Sequence, residues 1–476
     1  MLAGALLAAC APLVPPERGL PGMAQDWPSD TADGANDFGA NNSGANQVRA
    51  LPGWRGYFTD PELRTLIERA LAGNADLKLA LARVQEARAG FGAADAALWP
   101  QLDAAATLDR GLVPADLNLT RKPLLGSQYQ IGAQLGSWEL DLWGRLRSLR
   151  GAAQQRWLAS DEARHAVALL LVAQVADGYL GLRELDERRA LAQRAIDSRN
   201  ASWHMFKRRY EVGSMSRLEV VQAETLLTQA QALGAQLDQA RAACAHALAE
   251  LVGANGELQL ASAGVPLELP PLAAGLPSEL LLARPDLRAA EHQLRAARAN
   301  IDAARAAYFP RIGLTSAFGT ASAELDGLFA GGSRAWTIAP AAGLNLFDGG
   351  RRDAGLAAAQ AQRDAVLADY ERRIHAAFRE VADALSARRT LASQLEIAGR
   401  ACAAQAERAR LAQLRYARGA TTYLEVLDAE RDLLAVEQQR VQVRRALQSS
   451  QVALYAALGG AGEPAAATPL MKDSRP

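Results

Sequence analysis

Two long segments of the chain repeat apolar residues at the spacing of an α-helix. The second segment carries an apolar residue every three or four positions, at Leu367, Tyr370, Ile374, Phe378, Val381 and Leu385. The first segment carries the matching set Val172, Val175, Tyr179, Leu182 and Leu185. This spacing places the side chains on one stripe of a helix, as in helices that pack against other helices.

Neither segment contains a proline, so nothing interrupts the hydrogen bonds of a helix there. Proline is absent from Leu124 to Val265 and from Ala341 to Glu463. The pattern therefore predicts helices from about Arg145 to Tyr210 and from about Arg351 to Tyr416. At 1.5 Å per residue each helix is about 100 Å long, several times the length that a globular domain needs.

Four shorter runs alternate apolar and polar residues, which is the pattern of a half-buried β-strand. Two runs lie between Pro100 and Trp143, and two lie between Pro310 and Phe347. The parity of the apolar positions shifts after Gly136, which predicts a β-bulge. Each run has about the 9 to 11 residues that cross an outer membrane. We predict four membrane strands, joined outside the cell by the loops Gly111–Ser127 and Thr320–Arg334.

The two halves of the chain are copies of one another. The segment RRYEVGSMSRLEVVQAE from Arg208 aligns with LRYARGATTYLEVLDAE from Leu414, at an offset of 206 residues. Both halves read helix, two strands, very long helix, tight turn and helix. We therefore expect a first repeat over 51–265, a second repeat over 266–460 and a disordered tail over 461–476.

Four strands are too few to close a barrel. An open sheet edge in lipid leaves backbone groups unpaired, at several kcal/mol each. Two copies supply eight strands, whose interior is filled by side chains, whereas three copies supply twelve and leave a passage. The predicted fold class is mainly α with a membrane β-barrel. We expect the long antiparallel helices to pack as in a coiled coil, and four strands per chain to contribute to the twelve-stranded barrel of a homotrimer; the family resemblance given below implies that the helices form a periplasmic α-barrel.

Composition argues against several function classes. Lys and Arg together number 52, as do Asp and Glu, so no basic field is present to bind nucleic acid. No P-loop, GxGxxG, nucleophile elbow or HExxH motif occurs, and the five histidines are scattered singly. Three cysteines without a CxxC pair do not form a zinc motif, and Cys244 and Cys402 are expected to be free thiols. We expect neither an enzyme nor a protein that holds a cofactor or a metal.

The chain opens on a short motif that resembles a bacterial lipobox. Leu7-Ala8-Ala9-Cys10 has the aliphatic residue, the two small residues and the cysteine of that motif, in which the cysteine is lipidated and the preceding bond is cut. Residues 1–9 are then a signal peptide, whose start we expect upstream because they contain no Lys or Arg. Residues 10–50 are rich in Pro, Gly and Asn, and predict a lipidated flexible tether.

Several motifs closely resemble those of a known family. They are WELDLWGRLR from Trp138, RPDLRAAEHQLRAARANIDAARAAYFPRIGLTSAFG from Arg284 and GLNLFDGGRR from Gly343. From Trp54 to Tyr455 the chain resembles the TolC-like outer-membrane factors, in particular the OprM and NodT-type lipoproteins of resistance-nodulation-division efflux systems. The resemblance implies a lipid-anchored homotrimer with its barrel in outer-membrane lipid and its helical tunnel in the periplasm. It also implies two partners, a periplasmic adaptor (membrane fusion) protein and an inner-membrane resistance-nodulation-division transporter.

The turns after the long helices are the candidate functional site. Gly213 and Gly419 permit a sharp reversal between two helices. In the family this end of the tunnel is a closed periplasmic entrance, and the resemblance implies gate residues at Glu219, Tyr416, Leu424, Glu425 and Asp428. Tyr416 and Glu219 are expected to link neighbouring helix pairs, and the other three are expected near the constriction. Where the family often has a cation four residues before Glu425, this chain has Thr421.

Three functions are compatible with these patterns. The first is the outer-membrane channel of a tripartite efflux pump, a passive trimeric conduit for small molecules such as drugs. The second is a duct for type I protein secretion or metal-ion efflux, because a passive tunnel takes its specificity largely from the inner-membrane pump. The third, of another class, is a structural periplasmic coiled-coil lipoprotein, which leaves the strands without a role. We expect the first.

Overall fold

The computed structural model describes residues 52–254, 269, 270, 272 and 283–460. The expected signal peptide, Cys10, the tether, the tail and the boundary between the repeats at 265 and 266 lie outside the described residues. Within them the helices are α1 (Trp54–Tyr57), α2 (Pro61–Gly73), α3 (Ala75–Ala96), α4 (Arg145–Glu211), α5 (Arg217–Val252), α6 (Pro285–Ala306), α7 (Arg351–Ala417) and α8 (Tyr423–Ala457). The strands are β1 (Leu102–Val113), β2 (Leu124–Glu139), β3 (Arg311–Ser322) and β4 (Arg334–Gly343).

The order of the elements repeats, as the sequence predicts. The series α3, β1, β2, α4 and α5 is followed by α6, β3, β4, α7 and α8. The long helices α4 and α7 have 67 residues each, which confirms the two predicted helices to within one residue at each end. The halves differ in length mainly in their second strands, since β2 has 16 residues and β4 has 10.

The strands form one antiparallel sheet in the order β1-β2-β3-β4. Leu102 lies opposite Leu135 across the first pair, and Phe318 lies opposite Trp336 across the last pair. The strands β1 and β4 are therefore the two edges of the sheet. Within the part of the chain that the structure describes, the backbone N–H and C=O groups on the outer sides of β1 and β4 have no strand to pair with.

The structure confirms the predicted bulge but not the predicted bounds of the two loops. The register shifts between Leu135 and Trp138, so the bulge predicted after Gly136 is confirmed. The predicted loop bounds are wrong, because the strands stay paired for longer. The first ladder runs to Val113 opposite Leu124, and the last begins at Thr320 opposite Arg334. The connections that remain are residues 114–123 and 323–333.

The sheet has one apolar and one polar face. Leu102, Leu108, Phe318 and Trp336 share the apolar face and are 55–75% exposed within the chain. The other face carries polar pairs, in which Asp103, Thr107 and Asp109 lie opposite Gln134, Gln130 and Gln128. An exposed apolar face of this kind is rare in soluble monomers. It is typical of membrane strands, which face lipid on one side and a polar lumen on the other.

The two repeats join inside the sheet at a pair of opposed glycines. Gly132 of β2 lies opposite Gly319 of β3. A Cβ added to Gly132 would clash with the carbonyl oxygen of Phe318, and one added to Gly319 would clash with that of Ile131. Any larger residue at either position must therefore push the two strands apart.

Four of the described helices pair into two hairpins. We call α4 with α5 hairpin one, and α7 with α8 hairpin two; in each, the two helices pack along one another. Helix α4 also packs against α6 and α8, so it joins the two halves of the chain. The main core cluster contains most of both predicted apolar stripes, including Val175 and Tyr179 of α4 and Ile374 and Val381 of α7.

Aromatic side chains fix the N-terminal helices to this core. The ring of Tyr57 stacks on that of Tyr455 at 4.8 Å, and Phe58 packs edge-on against both. The hydroxyl of Tyr179 donates to Glu62 Oε2 at 3.0 Å, which ties α4 to α2. Burial and the hydrogen bond with Glu62 raise the pKa of Tyr179, so this phenol keeps its proton and remains a donor.

Helix α4 also contains a window of 18 residues that is long and apolar enough to cross a membrane. Within the chain, 44% of that window is buried. Residues of α4 such as Leu171, Val172 and Val175 belong to the core cluster. Because the same test is met by core helices, the exposed apolar face of the sheet remains the stronger indication of contact with lipid.

Candidate functional site at the hairpin tips

Both hairpins reverse through the same turn. After α4, the N–H of Gly213 donates to the carbonyl of Tyr210 at 2.9 Å, and the N–H of Ser214 donates to that of Arg209 at 2.8 Å. The equivalent two bonds follow α7 around Gly419. The two glycines have φ values of 74° and 73°. This is the Schellman motif, in which glycine adopts the left-handed conformation without the steric cost of a Cβ.

The helices that return from the two turns begin differently. Ser216 is the residue that precedes α5, and its hydroxyl accepts a hydrogen bond from the N–H of Glu219. In return, the Glu219 carboxylate accepts from the N–H of Ser216 at 3.0 Å. This reciprocal capping box satisfies N–H groups that the helix leaves unpaired. Thr422 precedes α8 and makes no side-chain capping bond. Glu219 is thus a capping residue of its own helix.

The predicted bond between Tyr416 and Glu219 is not formed within the chain. The hydroxyl of Tyr416 instead accepts from Arg209 Nη1 at 2.9 Å. Glu219 is engaged by the capping box, which satisfies N–H groups that would otherwise lack a partner. Tyr416 of hairpin two does contact hairpin one, but through Arg209.

A cation from the end of α7 holds Glu425. The Arg415 guanidinium donates to Glu425 Oε1 at 2.6 Å, and the Thr421 hydroxyl bonds to Oε2. The position where the family often has a cation is occupied by Thr421, so the cation comes from the preceding helix. Both oxygens of Glu425 therefore have a partner in the chain.

Asp428 begins a row of alternating charges on α8. Arg431 Nη1 lies 3.1 Å from Asp428 Oδ1, and Arg431 Nη2 lies 3.0 Å from Asp432 Oδ1. Arg408 of α7 donates to the other oxygen of Asp432 at 2.7 Å. The hydrogen bonds from Arg408 and Arg431 lower the pKa of Asp432, so it stays ionised. Two carboxylates meet two guanidinium groups, and the row has no net charge.

Leu424 remains exposed at the tip of hairpin two. Its side chain is 44% exposed, and its counterpart in hairpin one, Leu218, is 66% exposed. Both follow the first residue of a returning helix. The tips therefore present apolar side chains that a single chain leaves uncovered.

Tyr423 is a residue of this site that the sequence patterns did not single out. Its ring packs edge-on against Phe206 at 4.9 Å and against Tyr416 at 4.8 Å. Its hydroxyl lies 2.7 Å from Ser202 Oγ, which in turn donates to the carbonyl of Ser198 at 2.9 Å. Because Ser202 has one hydroxyl proton, Tyr423 is the donor toward it. Tyr423 thus connects the first turn of α8 to α4.

Further polar bonds run along the same contact between α4 and α8. The Ser198 hydroxyl donates to Glu430 Oε2 at 3.3 Å, and Gln413 of α7 donates to Oε1 at 3.0 Å. Closer to the core, Arg188 Nε donates to Gln438 Oε1 at 2.6 Å. We call the contact of α4 with α8 near the tips the intrachain seam.

The described residues contain no group of three or more His, Cys, Asp or Glu placed to hold a metal ion. Cys244 and Cys402 are free thiols. Burial raises the pKa of Cys244, whose thiol donates to the carbonyl of Gly178 at 3.5 Å. A thiol with a raised pKa is a poor nucleophile.

The fold and the tips together define a class of protein. A sheet with an exposed apolar face is attached to two helical hairpins, whose long helices are each about 100 Å and end in matched turns far from the sheet. Such a chain suits an outer-membrane channel whose helices extend into the periplasm.

Comparisons with known proteins show the family. The family model described as outer membrane efflux protein matches residues 66–254 and 276–460. The solvent efflux pump outer membrane protein SrpC of Pseudomonas putida is 38% identical over 471 residues, 97% of each chain. The outer membrane protein OprJ of Pseudomonas aeruginosa is 40% identical over 411 residues, 86% of each chain.

A solved structure agrees with these relatives. The crystal structure of a membrane protein from Pseudomonas aeruginosa has a TM-score of 0.84 and 37% identity, over 93% of this chain and 98% of that one. The chain therefore belongs to the outer membrane efflux protein family. It is an efflux channel of the outer membrane that extends into the periplasm, and the coiled-coil alternative is not supported.

The ion pair of Arg431 with Asp428 predicts that removing Arg431 makes the channel easier to block with multivalent cations. Arg431→Gln leaves Asp428 without its ion pair, so we expect block by a trivalent cation at about fivefold lower concentration, the effect of about 1 kcal/mol of added attraction. Arg410→Gln is the control. It also removes an ion-paired arginine, but Arg410 lies on α7 and bonds to Glu407, away from this row. Block measured on single channels checks this, and equal block in both variants would contradict it.

Proposed function

We propose that three copies of this chain form a passive conduit that carries small molecules from an inner-membrane pump across the periplasm and outer membrane. The observation that carries the proposal is a four-stranded sheet with an apolar face and two unpaired edges, attached to two hairpins whose long helices are each about 100 Å. Three copies supply twelve strands, enough for a barrel with a passage. They also supply six hairpins, enough to surround a tunnel.

The proposed partners follow from the family. A conduit of this length needs an energised pump at the inner membrane, and we propose a resistance-nodulation-division transporter joined by a periplasmic adaptor. The relatives are named as outer-membrane proteins of efflux pumps. We propose that transport through this chain is passive and that the pump selects the cargo.

The names of the relatives support a class of cargo. Two relatives from Pseudomonas putida, at 38% identity, are named as components of a solvent efflux pump and of a toluene efflux pump. We propose that small apolar molecules, such as solvents or drugs, pass through this channel. The polar face of the sheet suits a water-filled lumen that binds such cargo weakly.

We propose that the hairpin tips form the periplasmic gate. Gly213 and Gly419 make the turns, and Leu424, Glu425 and Asp428 lie on the first turns of α8 beside them. Tyr416 and Glu219 lie at the same end of the molecule. The exposed leucines at the tips support the proposal, because threefold assembly would bring such residues toward one axis.

We also propose a lipid anchor on Cys10. The chain should incorporate radiolabelled palmitate in bacterial cells that export it, because Leu7-Ala8-Ala9-Cys10 has the lipobox pattern. A Cys10→Ser variant removes the acceptor thiol and should lose the label, whereas Cys244→Ser should keep it. Equal labelling of the Cys10→Ser variant would contradict the anchor.

Assembly and conduction test the main proposal. Protein extracted in detergent should have about three times the 50.6 kDa mass of the chain, because only shared strand pairs satisfy the sheet edges. Mass photometry and planar-bilayer recordings check this, with trimers expected to conduct. A monodisperse monomer, or a trimer without conductance, would contradict the proposal.

A further inference from the structure

A cavity of about 500 Å³ lies where the sheet joins the helices of the second repeat. Its wall is formed by the end of α6, the start of β3, the segment after β4 and the first turns of α7. Phe309, Leu356 and two alanines supply an apolar side. Three arginines also line it, Arg311, Arg351 and Arg352. A cavity of this size, with a few polar groups on an apolar wall, is typical of sites for small organic molecules.

Two carboxylates adjoin the lining of this cavity, and both are engaged. Arg352 donates to Asp348 Oδ2 at 2.6 Å, so this pair is neutral. Asp353 accepts from the hydroxyl of Tyr308. The other two arginines of the lining are exposed, and within the part of the chain that the structure describes neither guanidinium makes a hydrogen bond or an ion pair. The cavity therefore carries an excess of positive charge.

The first repeat shows the same positions with their charge balanced. Arg351 and Arg145 are the first residues of the two long helices, at the offset of 206, and at this offset Asn345 corresponds to Glu139. Arg145 donates to both oxygens of Glu139, at 2.9 and 2.6 Å. In the second repeat the neutral amide of Asn345 stands at that position, and it lines the cavity. Arg351 therefore has the cation of the first repeat without its carboxylate.

Arg311 is a second cation that the first repeat lacks. Phe309-Pro310 corresponds to Trp99-Pro100 at an offset of 210, so Arg311 corresponds to the uncharged Gln101. The two repeats thus differ at two positions that line one cavity, and both differences make it more positive.

The strand position of Arg311 indicates that the cavity faces the lumen. Side chains alternate between the two faces of a strand, and Phe318 of β3 lies on the apolar face. Arg311 is an odd number of positions before Phe318, and the ladder with β4 is regular between them. Arg311 therefore lies on the polar face, which the proposed trimer turns toward its passage.

We propose that this cavity binds an amphipathic organic anion, a cargo molecule that has a carboxylate or sulfonate group on an apolar body. The anionic group contacts Arg311 and Arg351, whose guanidinium groups suit its oxygens, and the body packs against Phe309 and Leu356. This inference rests on the proposed trimeric channel and adds a class of cargo to it.

Binding of naphthalenesulfonate to the trimer tests the inference. In nanodiscs of phosphatidylcholine, isothermal titration calorimetry should show saturable binding. Arg311→Gln and Arg351→Gln each remove one exposed ion pair, so each should weaken binding by about two- to fivefold, and the double variant by about tenfold. Arg334→Gln is the control, because Arg334 begins β4 at the end of that strand away from the cavity.

Two substitutions that keep both arginines separate a site from a general attraction of anions. Asn345→Glu gives Arg351 the carboxylate that Arg145 has in the first repeat, so it should weaken binding about as much as Arg351→Gln, whereas Asn345→Gln should not. Gly355→Phe should prevent binding without changing a charge, because Gly355 lines the cavity and a Cβ there meets open space.

An uncharged analogue supplies the control for the ligand. Naphthalenemethanol has the same apolar body without the anionic group. Its binding should therefore not differ between the unmodified protein and the Arg311→Gln and Arg351→Gln variants. A loss of naphthalenemethanol binding in these variants would show that they damage the cavity, and would contradict a role of their charge.

A lipid headgroup is the other source of an anionic group. Nanodiscs that contain phosphatidylglycerol distinguish the two sources, since a lipid in the cavity would compete with naphthalenesulfonate. Unchanged affinity in these nanodiscs supports a site reached from the lumen. Competition that disappears in the double arginine variant would show that the cavity holds lipid, and would contradict the cargo.

The outcomes separate this inference from the function on which it rests. If the unmodified protein does not conduct, both fall. If it conducts but naphthalenesulfonate does not bind saturably, or binds equally to all variants, the inference is wrong and the channel stands. If the arginine variants lose binding while Asn345→Glu and Gly355→Phe keep it, this cavity is not the site and the inference is likewise wrong.

Discussion

The unpaired outer edges of β1 and β4 are the constraint on which the rest of the structure depends. In water such edges bond to solvent, but in lipid each free N–H and C=O group costs several kcal/mol. The apolar face of the sheet places these edges in lipid. Since β1 and β4 are the first and last of four antiparallel strands, they run in opposite directions. The β4 of one copy can therefore pair with the β1 of the next in the same antiparallel manner.

In the proposed trimer, the duplication allows this edge pairing to form a conduit. Each repeat contributes two strands and one hairpin, and the opposed glycines Gly132 and Gly319 let the two pairs of strands join closely. The two long helices have the same length, so the tips lie at matching distances from the sheet. The repeats have diverged where their hairpins meet, and Tyr423 with Ser202 marks that divergence within the chain.

Much of the fold could be predicted from the sequence, for identifiable reasons. Helices of 67 residues without proline leave a periodic pattern that no other structure explains, and their bounds were predicted to within one residue. The bulge near Gly136 could be predicted because a shift of one residue exchanges the two faces of a strand, which changes the parity of the apolar positions. The loop bounds were predicted poorly, because the alternation of apolar and polar residues ends at Asp109 while the ladder continues to Val113.

The partners of individual side chains at the tips were harder to predict. Arg209 lies in the last turn of α4, and its hydrogen bond to Tyr416 depends on how the two hairpins pack. The capping box of Ser216 and Glu219 could be predicted from its spacing. Tyr423 was missed because the repeats were compared for their identities, whereas its role becomes visible at a difference, where the first repeat has Arg217.

Amide hydrogen exchange of the strands in membrane-assembled protein tests the central claim most directly. If β1 and β4 pair across copies, the amides on their outer sides should be protected as strongly as those between β2 and β3. Fast exchange confined to the outer sides of β1 and β4, with β2 and β3 protected, would show that the edges are open and would contradict the account.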